Sequence, residues 1–225
     1  NDIDWEKVFE GKDWFHFTGI TPAISESAAL ACEEAAATAK RLGLTVSADM
    51  NYRKNLWTAE EAQATMIPMM KYVDISIGNE EDAEKCLGVA AEGVDVTAGE
   101  LNPDAYRPVV QELVDRFDFK KVGITLRESQ SADDNDWSAI YYDGEEILIG
   151  KKYPVRIVDR VGGGDSFCAA MIYGQNQGDW GSRQVLDFAV AASAMSHTFH
   201  GDFNLVSVKE VMAVAGGDTS GRVQR

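Results

Sequence analysis

The chain has 225 residues, 45% apolar and 26% charged, enough non-polar surface for an ordinary core and far from the composition of a disordered chain. Its 21 Lys and Arg against 37 Asp and Glu give a formal net charge of −16, which repels phosphate backbones and anionic membranes and excludes nucleic acid as an expected partner. Three scattered cysteines, Cys32, Cys86 and Cys168, without a C-x-x-C, offer neither a disulfide framework nor a zinc ribbon, and no apolar run reaches the roughly 18 residues that span a bilayer. The expectation is one cytoplasmic α/β domain over residues 1–225, with no membrane partner.

In chain order, the hydrophobic period predicts a strand at Trp14 to Phe17 and an Ala-rich helix at Ser25 to Arg41, broken by Gly43. Leu44 to Asp49 reads as a strand, Thr58 to Met70 as a helix opened by a Thr58–Glu61 capping box, and Tyr72 to Ile77 as a strand. Asn79 is placed to cap a short helix ending at Leu87, and Gly88 to Pro103 reads as an irregular insertion. A helix from Ala105 to Phe117 and a strand from Lys121 to Leu126 continue the alternation.

Ser129 to Asp136 reads as a polar loop, and Trp137 to Ile149 as a hairpin turned at Asp143-Gly144. Tyr153 to Val158 is strand-like, and helices are expected at about Ser166 to Asn176, Ser182 to Phe199 and Ser207 to Ala215. Strands separated by helices imply a parallel sheet covered on both faces, with ligands at the carboxyl ends of the strands.

The most informative stretch is Asp159-Arg160-Val161-Gly162-Gly163-Gly164-Asp165-Ser166-Phe167. Consecutive glycines at a helix start present unpaired N–H groups and the positive end of the helix dipole, an anion site. Asp165 beside it reads either as a plain N-cap or as a working carboxylate. Each glycine weakens ordered chain by roughly 0.5–1 kcal/mol relative to Ala, so a run of three implies close approach to the backbone. In an acidic chain an anion must be held by such local N–H groups or by Arg.

Asp159 to Asp165 resembles the Asp-x-x-Gly-x-Gly-Asp signature of the ribokinase-like (PfkB) carbohydrate kinases, with Gly163 where Ala is usual. Asp49-Met50-Asn51-Tyr52-Arg53 with Leu56-Trp57, Gly201-Asp202-Phe203-Asn204 and the terminal Gly221 to Arg225 are similar to the 2-keto-3-deoxygluconate kinases of that family. The resemblance implies a three-layer α/β/α sandwich. It covers the later two-thirds of a family member, which implies that the N-terminal strands and lid are missing and that Asn1 is a cut or disordered boundary.

The resemblance makes Asp165 the base that deprotonates the sugar hydroxyl, and the N–H groups of Gly162, Gly163 and Gly164 the anion hole for the transferring phosphoryl. Spacing puts Asp49, Asn51 and Arg53 on one face of an extended segment at a strand's carboxyl end. Arg53 offers a fork suited to a sugar-acid carboxylate; the alternative is a structural Asp49–Arg53 ion pair. Asp202 resembles a substrate-contacting position. Asn79 to Asp82 matches the Asn-x-x-Glu motif that organises Mg²⁺ and its waters, Asp82 standing where Glu is usual; the alternative is a plain helix cap. Thr125 and Arg127 resemble the nucleotide-side loop. The small residues Ala189, Ala191, Ala192 and Ala194 suit either an adenine or core packing. His197 and His200 have a spacing that could hold a metal, but His16 is the only other histidine and no thiolate is near in sequence, so no transition-metal site is expected.

The expected activity is ATP- and Mg²⁺-dependent phosphorylation of the terminal hydroxyl of 2-keto-3-deoxygluconate. A fructokinase or ribokinase activity is the in-class alternative, and a non-catalytic remnant that binds nucleotide or a partner is the out-of-class one. The resemblance also allows a homo-oligomer, since family members often pair through the lid.

Overall fold

The computed structural model describes residues 3–79, 81–90 and 103–217. Glu80, most of the Gly88 to Pro103 insertion and the terminal Gly221 to Arg225 stretch lie outside the described residues. The chain divides into two compact units, one of Asn1–Val96, Asp104–Ile124 and Tyr142–Glu146, the other of Thr97–Pro103, Thr125–Tyr141 and Ile147–Arg225.

Seven strands, β1 (Trp14–Thr18), β2 (Thr45–Asp49), β3 (Ile75–Asn79), β4 (Lys121–Ser129), β5 (Asp134–Tyr142), β6 (Ile147–Ile149) and β7 (Tyr153–Arg156), form one sheet. Their order is β1-β2-β3-β4-β5-β6, with β7 paired to β5. The β1–β2 and β2–β3 pairs are parallel, as expected for strands separated by helices, but β5 and β7 pair antiparallel, so the sheet is mixed and not wholly parallel.

In the first unit, α1 (Trp5–Val8) and α2 (Ile20–Ile24) precede α3 (Glu26–Arg41), α4 (Ala59–Met69), α5 (Asp82–Leu87) and α6 (Arg107–Phe117). Ser25 Oγ caps α3 by accepting the Ala28 N–H at 3.2 Å, and α3 buries Cys32, Ala35, Ala36 and Ala39. Such small residues let a helix lie close over a sheet. The Thr58–Glu61 capping box forms as the sequence dictates. Asp74 ties the entrance of β3: its Oδ2 accepts the Val46 N–H at 3.0 Å and its carbonyl accepts the Lys120 N–H at 2.8 Å.

In the second unit, α7 (Gly163–Gln175) packs on α8 (Ser182–Ser196), and α9 (Val208–Ala215) follows a Ser207–Glu210 capping box. Tyr173, Trp180 and Phe188 form a ring cluster with centroids 5.1 to 5.8 Å apart.

Three expectations change, and two short helices add to the expected elements. The Ser129 to Asp136 loop shrinks to residues 130–133, because β4 and β5 extend into it. The strand expected from Tyr72 begins at Ile75, after a 3₁₀ turn over Met70–Tyr72. The helix expected from Ser166 starts within the glycine cluster at Gly163. The short helices α1 and α2 carry too few turns to show a period.

Candidate active site

Two groups of the candidate residues are built separately, one in each unit. The first sits at the carboxyl ends of β1, β2 and β3. Gly19, just past β1, donates its N–H to the Asp49 carbonyl at 2.7 Å. A Cβ at Gly19 would lie 2.1 Å from the Met50 carbonyl oxygen, so no other residue fits that approach.

The expected alternation of Asp49, Asn51 and Arg53 along an extended segment is corrected here. β2 ends at Asp49, and Asn51 turns into the left-handed region at φ 42°. Asn can hold that conformation because its short polar side chain bonds locally, and its Nδ2 donates to Thr18 Oγ1 at 3.1 Å. Asp49 is consequently buried, Asn51 half-buried, and Arg53 exposed with one guanidinium nitrogen donating to the Tyr52 carbonyl at 3.0 Å.

Asn79, the last residue of β3, accepts the N–H groups of Glu81 at 2.8 Å and Asp82 at 3.2 Å on its side-chain oxygen; the N-cap of α5 is Glu81, so Asn79 orders the turn before the helix and is not the expected cap. Asp82 answers it. One carboxylate oxygen accepts the Asn79 N–H at 2.7 Å and the other the Tyr52 N–H at 2.9 Å, with the residue only 2% exposed. Burial pushes the Asp82 carboxyl up to about 6, although the two N–H groups and the Arg53 charge oppose that shift. Both oxygens are thus engaged by main chain, an arrangement that suits Mg²⁺ only through intervening water.

The second group surrounds the start of α7. Gly162, not Asp165, is the N-cap: it takes φ 83°, and its carbonyl accepts the first helical bond from Ser166 at 2.8 Å. Asp165 is the third helical residue, exposed, and among the described residues its carboxylate has no hydrogen-bond or ion-pair partner.

The three glycines have three different reasons. A Cβ on Gly162 would lie 2.2 Å from the Asp202 carbonyl oxygen, and one on Gly163 would lie 2.5 Å from His197 Cε1. A Cβ on Gly164 would meet nothing within 4 Å, and its φ is not positive. The fold therefore requires glycine at 162 and 163 and leaves open space at 164. Gly164 and Asp165 precede the first helical bond, so their N–H groups belong to the orphan donors of the helix start, where a phosphoryl group fits.

The surrounding loops are tied to this turn. Asp159 accepts the Val161 N–H at 3.0 Å and the Gly201 N–H at 3.1 Å. These bonds hold its carboxyl below the usual carboxylate range. Ser193 Oγ donates to the Gly163 carbonyl at 2.7 Å, and Asn204 Nδ2 reaches Ser166 Oγ at 2.6 Å and the Ala192 carbonyl at 2.9 Å. Gly19, Asp159, Ser193, His197 and Asn204 thus support the two groups without having been singled out for it in the sequence. Asp159 and Asn204 stood in quoted motifs and His197 in a histidine pair, each without this role, while Gly19 carried the signal of a glycine directly after a strand.

Thr125 and Arg127 lie within β4 and not on a loop after it; Thr125 is buried and Arg127 exposed. Ala189, Ala191, Ala192 and Ala194 are all buried at 4% exposure or less, which makes them packing residues of α8. His197 is buried with Nδ1 2.7 Å from the Ser193 carbonyl, and Asp202 is exposed.

The profile of the pfkB family carbohydrate kinases matches residues 1–207. The chain belongs to that family. Among solved members, a 2-dehydro-3-deoxygluconokinase from Thermotoga maritima is 47% identical with a TM-score of 0.89, covering 96% of this chain and 64% of that one. A PfkB family carbohydrate kinase from Listeria grayi is 28% identical with a TM-score of 0.82, covering 96% of this chain and 64% of its own. A 2-dehydro-3-deoxygalactonokinase from Haloferax volcanii is 29% identical over 214 residues, 95% of this chain and 60% of the relative. The chain therefore spans somewhat less than two-thirds of the length of these PfkB relatives, and its ribokinase-like α/β sheet is theirs. No helix among the described residues is long and apolar enough to cross a membrane.

Proposed function

We propose that this PfkB chain is the sugar-acid- and phosphoryl-handling portion of a kinase that phosphorylates the terminal hydroxyl of 2-keto-3-deoxygluconate. The observation that carries the reading is the first turn of α7: an exposed, unpartnered Asp165 beside a glycine whose open space no packing requires. Similarity to 2-dehydro-3-deoxy sugar-acid kinases supports the substrate class.

In this reading Asp165 takes the proton from the attacking hydroxyl, and the orphan N–H groups at Gly164 and Asp165, presented by the Gly162 to Gly164 turn, face the charge on the transferring phosphoryl. Phosphoryl transfer asks little covalent work of a protein, so fixed dipoles and positioning supply most of the acceleration. Asp49, Asn51 and Arg53 hold the sugar acid, Arg53 through its carboxylate, and Asp202 adds a sugar contact. Thr125 and Arg127 face the nucleotide. Mg²⁺ supplies charge neutralisation of the phosphates when bound, with Asn79 and Asp82 ordering its waters.

The test is ADP release by the 225-residue chain with ATP and Mg²⁺ across 2-keto-3-deoxygluconate, 2-keto-3-deoxygalactonate, fructose, ribose and adenosine. The reading expects turnover with the sugar acids at a kcat/KM at least ~10-fold above the neutral sugars. Preference for fructose or ribose would make it a kinase of neutral sugars, and binding of ATP without turnover on any acceptor would make it a non-catalytic nucleotide-binding chain.

A further inference from the structure

His197, at the end of α8, is a residue for which neither metal binding nor simple core filling accounts. Its ring is 4% exposed. One face lies against Trp137, with centroids 4.6 Å apart, and Cε1 and Nε2 point at the backbone of Gly163, 2.5 and 2.6 Å from where a Cβ would stand. Nδ1 lies 2.7 Å from the Ser193 carbonyl, which also accepts Ser196 Oγ at 2.7 Å. A carbonyl only accepts, so Nδ1 carries the proton.

Ser193 closes the circuit by donating its hydroxyl to the Gly163 carbonyl at 2.7 Å. The His197 carbonyl accepts the Val158 N–H at 2.8 Å, anchoring the segment that leads into the glycine turn. The imidazole is therefore held at Nδ1 by the Ser193 carbonyl and packed against Trp137, so moving it aside to admit a methyl group costs that bond and that contact.

We propose that His197 is a positioning residue for phosphoryl transfer: its ring occupies the place of the side chain that Gly163 lacks and, with Ser193, sets the direction in which the first-turn N–H groups of α7 point. Gly163 and His197 are then one unit, and the glycine standing where the family usually has Ala is matched to the imidazole. This inference rests on the kinase reading above. His197 does not touch substrate; it acts through the Gly163 peptide.

The experiment is a double-mutant cycle with Gly163→Ala, His197→Ala and the pair, read in kcat, in KM for ATP and in Tm. Gly163→Ala is expected to lower kcat about 100-fold, the effect of displacing a catalytic group by about 1 Å, and to lower Tm. His197→Ala lowers kcat about 10-fold with KM for ATP changed less than about 3-fold. The double variant recovers at least about 10-fold of the kcat lost in Gly163→Ala and regains part of the lost Tm, since the methyl group then enters the space the ring leaves.

His197→Gln, with a side-chain amide able to reach the Ser193 carbonyl, retains more kcat than His197→Ala. Additive effects in kcat, or recovery of Tm without recovery of kcat, would overturn the proposal by reducing the pair to packing. A wild-type chain without turnover would instead remove the kinase reading, and this inference with it.

Discussion

Asp82 accepts the backbone N–H of Tyr52 at 2.9 Å across 30 residues of sequence, while its other oxygen holds the Asn79 N–H at 2.7 Å. One buried carboxyl thereby joins the loop after β2, which carries the proposed sugar-acid residues, to the loop after β3. The longer Glu usual at this motif position would have to fold back to make the same two bonds.

The Asp82 clamp has a pH signature. Its carboxyl is raised from 3.8 to about 6 by burial, so the unfolded chain ionises it first. Stability from this group is therefore greatest below about pH 4, falls as pH rises to about 6 and stays flat beyond, a span of roughly 3 kcal/mol at 1.36 kcal/mol per unit. Denaturant unfolding of wild type and Asp82→Asn at pH 4.5 and pH 7.5 checks it. The stability of wild type relative to the variant drops at the higher pH; a rise would show the carboxylate, not the acid, to be the favoured form.

Gly162 and Gly164 separate what the fold needs from what the ligand needs. Gly162→Ala meets the Asp202 carbonyl at 2.2 Å in a left-handed backbone and is expected to cost several kcal/mol, lowering Tm by about 6 °C or more. Gly164→Ala meets nothing, so its Tm stays within about 2 °C of wild type while turnover falls about 100-fold, the scale of a damaged anion hole. Thermal melts alongside ADP-release assays distinguish the two. Unchanged turnover in Gly164→Ala would mean that its open space serves no ligand.

Arg53 is exposed, and among the described residues its guanidinium hydrogen-bonds the Tyr52 carbonyl alone, leaving its fork available. A charge-assisted bond is worth about 1.5–3 kcal/mol, so Arg53→Ala should raise KM about 10- to 100-fold for a sugar acid and less than about 3-fold for a neutral sugar. Equal effects on both substrates would remove the carboxylate role.

The alternation of strands and helices was legible because period and caps are local: Ser25, Thr58 and Ser207 each cap the helix they precede. The glycine-aspartate signature was legible for the same reason. The course of the chain after β2 was not, because the left-handed turn at Asn51 depends on Thr18 at the end of another strand. Nor was the start of α7, since glycines read as helix breakers until the His197 ring and the Asp202 carbonyl are seen to demand them. Asp82 reads in the sequence as a member of a Mg²⁺-organising motif or of a plain helix start; the Tyr52 and Asn79 N–H groups that make it a buried clamp come from the loop after β2 and the end of β3.

The central claim is that the first turn of α7 performs phosphoryl transfer with Asp165 as base, and Asp165→Asn tests it most directly. The side chain is exposed and unpartnered among the described residues, so the isosteric change leaves Tm and ATP affinity near those of wild type. Turnover of 2-keto-3-deoxygluconate should fall at least about 1000-fold, within the range general-base catalysis contributes. An Asp165→Asn chain that still phosphorylates the sugar acid within about 10-fold of the wild-type rate would contradict the account.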